Sequence, residues 1–174
     1  INFLVNYKLS DRLQILDRIY RINSITSNLQ TGESTLELLN LSKRIAEKNV
    51  TMLINGPSGT GKEVLSKFVH LNSHRKDENF IAINCAAIPE NMLEAVLFGH
   101  EKGAFTGASV ANKGIFRAAN LGTLLLDEIS EMPIGLQSKI LRVLQERKVT
   151  PLGAQTEIDV DVRVLATTNR DMRS

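Results

Sequence analysis

Val50-Thr51-Met52-Leu53-Ile54-Asn55-Gly56-Pro57-Ser58-Gly59-Thr60-Gly61-Lys62-Glu63 is the stretch that decides the fold. The apolar run Val50 to Ile54 has strand character and ends in a glycine-rich turn, after which a helix is expected over about Lys62 to Leu71. A strand, a turn of this composition ending in lysine and a helix together form the context of a phosphate-binding loop. Glycines let the backbone aim several N–H groups at phosphate oxygens, the helix presents its positive end, and Lys62 sets a full charge against the outer phosphates. Gly56, Pro57, Ser58, Gly59, Thr60, Gly61, Lys62 and Glu63 are therefore the candidate nucleotide-binding residues. Glu63 stands where Ser or Thr ordinarily offers a hydroxyl to Mg2+; a carboxylate there could hold the ion directly or through water.

Working outward, Phe80 to Asn84, Leu124 to Asp127 and Val162 to Thr167 read as further strands. A capping-box pattern, Ser34-Thr35-Leu36-Glu37, opens a helix running to about Lys48, and further helices are expected over about Pro89 to Leu97 and Ile134 to Arg147. Strands separated by helices predict an α/β fold with a parallel sheet covered on both faces. Leu124-Leu125-Leu126-Asp127-Glu128 brings two acids to the carboxyl edge of that sheet, where nucleotides sit in open α/β folds. Asp127 is expected to hold Mg2+, and Glu128 to polarise an attacking water. Asn169, closing the last strand with Thr168, either senses the terminal phosphate or turns the chain.

Composition bounds the rest. The chain has 174 residues, 43% hydrophobic and 23% charged, which suits one domain with a substantial core. A formal net charge of +2 is too small to mark a nucleic-acid-binding surface. Cys85 is the only cysteine, so no internal disulfide is possible; beside a strand it reads as a small buried hydrophobe with no catalytic role. No apolar run reaches the length of a membrane span, and no membrane partner is expected. Leu9, Leu13, Leu16 and Tyr20 form one stripe of a short helix, so residues 1–30 read as a linker and residues 31–174 as the main domain. The chain starts without Met and stops just after a strand-like run, and both ends are expected to continue in a longer protein.

Gly103-Ala104-Phe105-Thr106-Gly107-Ala108 is the most particular feature. Six specified residues at roughly 7% usage each arise by chance about once in 10⁷ positions. Physically this is a small-residue loop with one aromatic and one hydroxyl, given conformational freedom by its glycines. A bare Phe on such a tip predicts a partner surface.

With the loop Gly56 to Glu63, this segment resembles the central AAA+ domain of the bacterial enhancer-binding proteins, which activate RNA polymerase carrying sigma-54. The resemblance runs from about Gly32 to the end and includes Asn84-Cys85-Ala86-Ala87, Leu97 to Ala108, Gly122 to Glu128 and Leu141 to Glu146. It implies a P-loop NTPase of AAA+ type, cut off before its helical lid, that binds ATP and Mg2+ and assembles with copies of itself into a ring, usually a hexamer. ATP hydrolysis would move the loop Gly103 to Ala108 against sigma-54, gripped through Phe105 and Thr106. The resemblance makes Asn84 the residue that holds Glu128 and relays phosphate status, makes residues 146–161 a second pore-side loop, and accounts for Glu63. The alternating acids Glu157, Asp159 and Asp161 also read as the exposed face of a hairpin strand. DNA would be contacted only through a helix-turn-helix domain outside this chain, with an upstream receiver or other sensor domain. A bacterial cytoplasmic setting follows from the partner.

Three positions depart from the family pattern: Pro57 replaces an acid, Arg117 a Glu, and Leu121 a Gly. Arg170 and Arg173 lie too close to the last strand to be assigned as the family's arginine fingers. Two other functions remain to be weighed: a AAA+ ring with a different client, and a nucleotide-binding switch with little turnover.

Overall fold

The computed structural model describes residues 3–6 and 33–169. The expected linker helix over Leu9 to Tyr20 lies outside these residues. Five strands, β1 (Phe3–Asn6), β2 (Met52–Asn55), β3 (Phe80–Asn84), β4 (Thr123–Asp127) and β7 (Arg163–Thr168), form a parallel sheet in the order β1-β2-β7-β4-β3. The helices are α1 (Glu33–Ala46), α2 (Lys62–Leu71), α3 (Glu90–Phe98), α4 (Gly114–Ala118) and α5 (Ile134–Glu146). A two-stranded antiparallel hairpin, β5 (Lys148–Val149) with β6 (Ile158–Asp159), stands apart from the sheet.

The central strands β4 and β7 are buried on both faces, and strand periodicity divides their side chains between two cores. Leu124, Leu126, Val164 and Ala166 face Leu93, Leu97, Phe116, Leu136 and Ile140. Their neighbours Leu125 and Leu165 face the other way, onto Leu38, Leu39, Leu65, Phe68 and Val69. This is why the middles of these strands, Leu124 to Leu126 and Val164 to Ala166, are unbroken apolar runs rather than alternating ones. Helix α2 and strand β3 have the bounds expected from sequence, whereas β2 and β7 start one or two residues later. Strand β1, the short helix α4 and the pairing of β5 with β6 carry too few residues for periodicity to register.

The strand order matters most. β2 carries the glycine-rich loop and β4 carries the acids, yet they are not neighbours, because β7 lies between them and pairs with both. Three carboxyl ends thus meet side by side.

Polar groups tie the opposite edge. Arg163, buried at the start of β7, donates from its terminal nitrogens to the carbonyls of Ile45 and Ala46 (3.0 and 2.7 Å), satisfying the C-terminal end of α1. Burial, and then the charge of Arg75, push its pKa down to about 10, which still leaves it a cation at neutral pH. Arg75 donates to the carbonyls of Leu121 and Asp161 and pairs with the Asp161 carboxylate at 2.7 Å. Asp161, expected on an exposed face, is therefore anchored.

Leu121 has φ +69, the conformation that glycine adopts freely, and this accounts for the family's usual Gly at that position. A leucine held there is strained by about 1–2 kcal/mol, comparable to what glycine costs in unfolded-chain entropy plus the burial lost from a half-exposed side chain. Leu121→Gly is expected to change unfolding free energy by less than about 1 kcal/mol. The same change at similarly exposed Leu41, inside α1, is expected to cost at least about 2 kcal/mol in urea melts. Equal losses at both positions would contradict the strain account.

His70 is buried on α2, with Nδ1 2.9 Å from the Thr123 hydroxyl and its ring against Phe80. Burial chiefly holds its pKa below the ordinary 6.5; Arg163 and Lys67 act in the same direction, while a backbone hydrogen bond at Glu78 opposes. Below about pH 6.5 the unfolded chain takes up a proton that the fold resists, so His70 subtracts stability as pH falls and contributes no pH dependence above it. Urea midpoints compared at pH 7 and pH 5 should fall further for the native chain than for His70→Gln.

Candidate functional site

The loop after β2 begins with the Gly56 N–H donating to the Thr168 carbonyl (3.2 Å), which joins it to the end of β7. Gly59 and Gly61 adopt φ +71 and +84, conformations that a side chain would strain. Pro57 offers its carbonyl to the Thr60 hydroxyl at 2.7 Å and to Lys62 Nζ at 3.1 Å. The proline thus keeps the group that the loop uses, although it removes an N–H. Helix α2 starts at Lys62 with no side-chain cap, so its first turn presents unshielded N–H groups beside the loop. Glu63 is exposed in that same turn.

Lys62 is withdrawn from water, with 5% of its side chain exposed. Its ammonium donates to the carbonyls of Gly56 (2.9 Å) and Pro57 (3.1 Å) and lies 3.4 Å from Glu128 Oε1. The other oxygen of Glu128 accepts the Asn169 N–H at 3.1 Å. One carboxylate therefore bridges the loop after β2 and the residue after β7. Glu128 itself has φ +53, a left-handed backbone at a non-glycine residue, and its N–H donates to the Thr167 hydroxyl (2.9 Å). That same hydroxyl donates to Asp127 Oδ1 (2.5 Å).

Lys62, Asp127, Glu128 and Asn169 thus stand at one edge, with Asn169 contributing a backbone N–H. Asn84 ends β3 in register with Asp127, yet its side-chain oxygen accepts the Ala86 N–H (2.9 Å) and caps its own turn. The expected contact with Glu128 is not made; Lys62 and Asn169 hold that carboxylate instead. Among the described residues no group of three or more His, Cys, Asp or Glu side chains is placed to hold a metal ion. Glu63 and Asp127 are not joined in such a group. Thr167 escaped the sequence reading, since one threonine in an apolar strand resembles any other. Ser130, bonded at 3.0 Å to the Thr168 hydroxyl, escaped it as well.

A second candidate element begins where α3 ends. The Gly103 N–H donates to the Ala108 carbonyl (2.8 Å) and the Ala108 N–H to the Phe105 carbonyl (3.0 Å), closing a compact loop. Gly103 and Gly107 sit at φ +80 and +101. Thr106 is exposed and Phe105 is 44% exposed. Phe105 is less bare than the sequence suggests, because its ring meets the His100 ring edge-on, centroids 4.9 Å apart. His100 is fixed by Nε2 against the Val110 carbonyl (3.1 Å) and by backbone bonds to Asn112. The Glu101 N–H donates to the Leu152 carbonyl (2.9 Å), and Gly153 packs against Ala104. The loop thus rests on the connection between β5 and β6.

A parallel sheet with a glycine-rich loop after β2 and paired acids after β4 defines an α/β P-loop NTPase of the AAA+ class. Residues 29–174 match the family model described as the sigma-54 interaction domain, and the chain belongs to that family. It is 63% identical over 165 residues to the response regulator protein FleR of Pseudomonas aeruginosa, covering 91% of this chain and 35% of that protein. It is 54% identical over 137 residues to the transcriptional regulatory protein GlrR of Escherichia coli, covering 79% of this chain and 31% of that protein. The chain spans about a third of the length of these curated relatives. Among solved structures, it is similar to NtrX from Brucella abortus in complex with ATP, with TM-score 0.70 at 30% identity, covering 92% of this chain and 36% of that one.

Cys85 is buried beside the site, its N–H bonded to the Asp127 carbonyl (2.9 Å). Burial, and secondarily the charge of Asp127, push the thiol pKa up to about 11. At pH 8 it is a neutral, covered thiol, and reaction with a disulfide reagent should be negligible in the native chain and rapid in denaturant.

Proposed function

We propose that this chain is the ATP-binding and ATP-hydrolysing domain of a transcription activator that remodels RNA polymerase carrying sigma-54. The observation that carries the reading is the Glu128 carboxylate, which reaches from Lys62 to the Asn169 N–H beside Asp127. A buried cation, left-handed glycines and an uncapped helix start fit the phosphates of a nucleoside triphosphate. Membership of the sigma-54 interaction domain family supports sigma-54 as the client, and the transcriptional regulatory relative supports a role in transcription.

In this reading Lys62 exchanges the carbonyls of Gly56 and Pro57 for phosphate oxygens. Glu128, released from the ammonium, orients the attacking water and accepts its proton. Mg2+, when bound with the triphosphate, neutralises developing charge on its oxygens. Asp127, whose Oδ1 accepts from Thr167, would hold that ion, with Glu63 as the other candidate. Asn169 presents its N–H where the carboxylate pivots. Asn84 leads through a short connection into α3, nine residues long, and α3 leads to the Phe105 loop, so one helix lies between the site and the loop.

The proposal includes assembly into a ring, usually six copies; a helix-turn-helix domain for DNA outside this chain; residues 1–30 as linker and 31–174 as AAA+ domain; and a bacterial cytoplasmic setting. No helix among the described residues is long and apolar enough to cross a membrane.

The test is co-migration of the full-length protein with purified sigma-54 on a native gel, without nucleotide, with ADP, and with ADP, aluminium fluoride and Mg2+. A complex should form only with the transition-state mimic and should be lost in Lys62→Ala and Thr106→Ala. Nucleotide binding without any sigma-54 complex would overturn the client. Binding without turnover would favour a switch over a motor.

A further inference from the structure

We propose that Thr167 is a positioning residue for hydrolysis, its single hydroxyl setting both acids at the end of β4. The proposal rests on the ATPase reading above and deepens it. Thr167 is wholly buried on β7, and Leu126 pairs with Ala166, which brings the next residues of the two strands together. The Glu128 N–H can only donate, so the hydroxyl accepts there at 2.9 Å. Its one proton is then available for Asp127 Oδ1 at 2.5 Å. The direction of both bonds follows from donor chemistry alone.

Two consequences follow. Asp127 has one oxygen fixed to the sheet, which defines the orientation of the carboxylate. Glu128 holds a left-handed backbone, φ +53, whose N–H is anchored by the same hydroxyl, and from there its carboxylate reaches Lys62 and the Asn169 N–H. The preceding β7 residues Val164, Leu165 and Ala166 are apolar. An apolar residue at 167 would leave the Glu128 N–H without this acceptor and the Asp127 oxygen without this donor. Thr168, next along the strand, turns its side chain to the opposite face of β7, where its hydroxyl pairs with Ser130 at 3.0 Å.

The test uses the full-length protein, measuring steady-state ATP hydrolysis and, separately, ADP affinity. Thr167→Val preserves volume and removes the hydroxyl. It should lower kcat about 10–100-fold while KM and ADP affinity stay within about threefold, because the phosphate-binding loop is untouched. Thr167→Ser retains the hydroxyl and should recover kcat to within about threefold of the native protein. A merely structural role predicts that kcat and ADP affinity fall together, without such a split. If the valine protein does not fold, Thr167→Ala is read by the same criteria. Native turnover with an unimpaired valine or alanine variant, or a serine variant as slow as valine, overturns this proposal alone. A native protein that binds nucleotide but never hydrolyses it overturns the ATPase reading and this proposal with it.

Discussion

A lysine ammonium taken almost wholly out of water must find partners, and the arrangement of this domain follows from how Lys62 is satisfied. Its stem is buried at the start of α2, so the charge is confined to the space between the glycine-rich loop and the ends of the neighbouring strands. Two loop carbonyls and one carboxylate meet it there. Neutral carbonyls alone leave a buried cation poorly compensated, which makes the Glu128 carboxylate the decisive partner. Once Glu128 is drawn to Lys62, its other oxygen comes within reach of the Asn169 N–H, and three segments distant in sequence become one site.

In the proposed function the same contact would couple chemistry to movement. Phosphate oxygens would compete with Glu128 for one ammonium, so a bound triphosphate would change what Glu128 touches. Backbone bonds join the elements concerned, the loop to β7 through Gly56 and Thr168, and Cys85 to β4 through the Asp127 carbonyl. The Phe105 loop lies one helix away and rests on His100 and the β5–β6 connection.

Much of the fold was legible because its determinants are local. Glycines, a lysine and the period of α2 fix that helix, and the apolar runs of β3 and β4 are long enough to register. The strand order was not legible, since it depends on β7 inserting between β2 and β4, a long-range pairing that no local pattern records. The site divided in the same way. Lys62, Asp127 and Glu128 are marked by their sequence context, whereas Thr167 becomes meaningful only when β7 lies beside β4. Asn84 was expected to hold Glu128 and instead caps its own turn, the shorter-range bond having prevailed. Leu121 was noticed as a departure from Gly, and its positive φ supplies the physical reason.

The central claim is that the state of the phosphates at Lys62 is transmitted to the Phe105 loop. Amide hydrogen exchange across residues 103–108 of the full-length protein, with ADP and with ADP plus aluminium fluoride and Mg2+, tests it most directly. The Gly103 and Ala108 amides close this loop, so the account predicts exchange rates that differ between the two nucleotide states, with the difference abolished in Glu128→Gln. Identical exchange in both states, with nucleotide demonstrably bound, would contradict it.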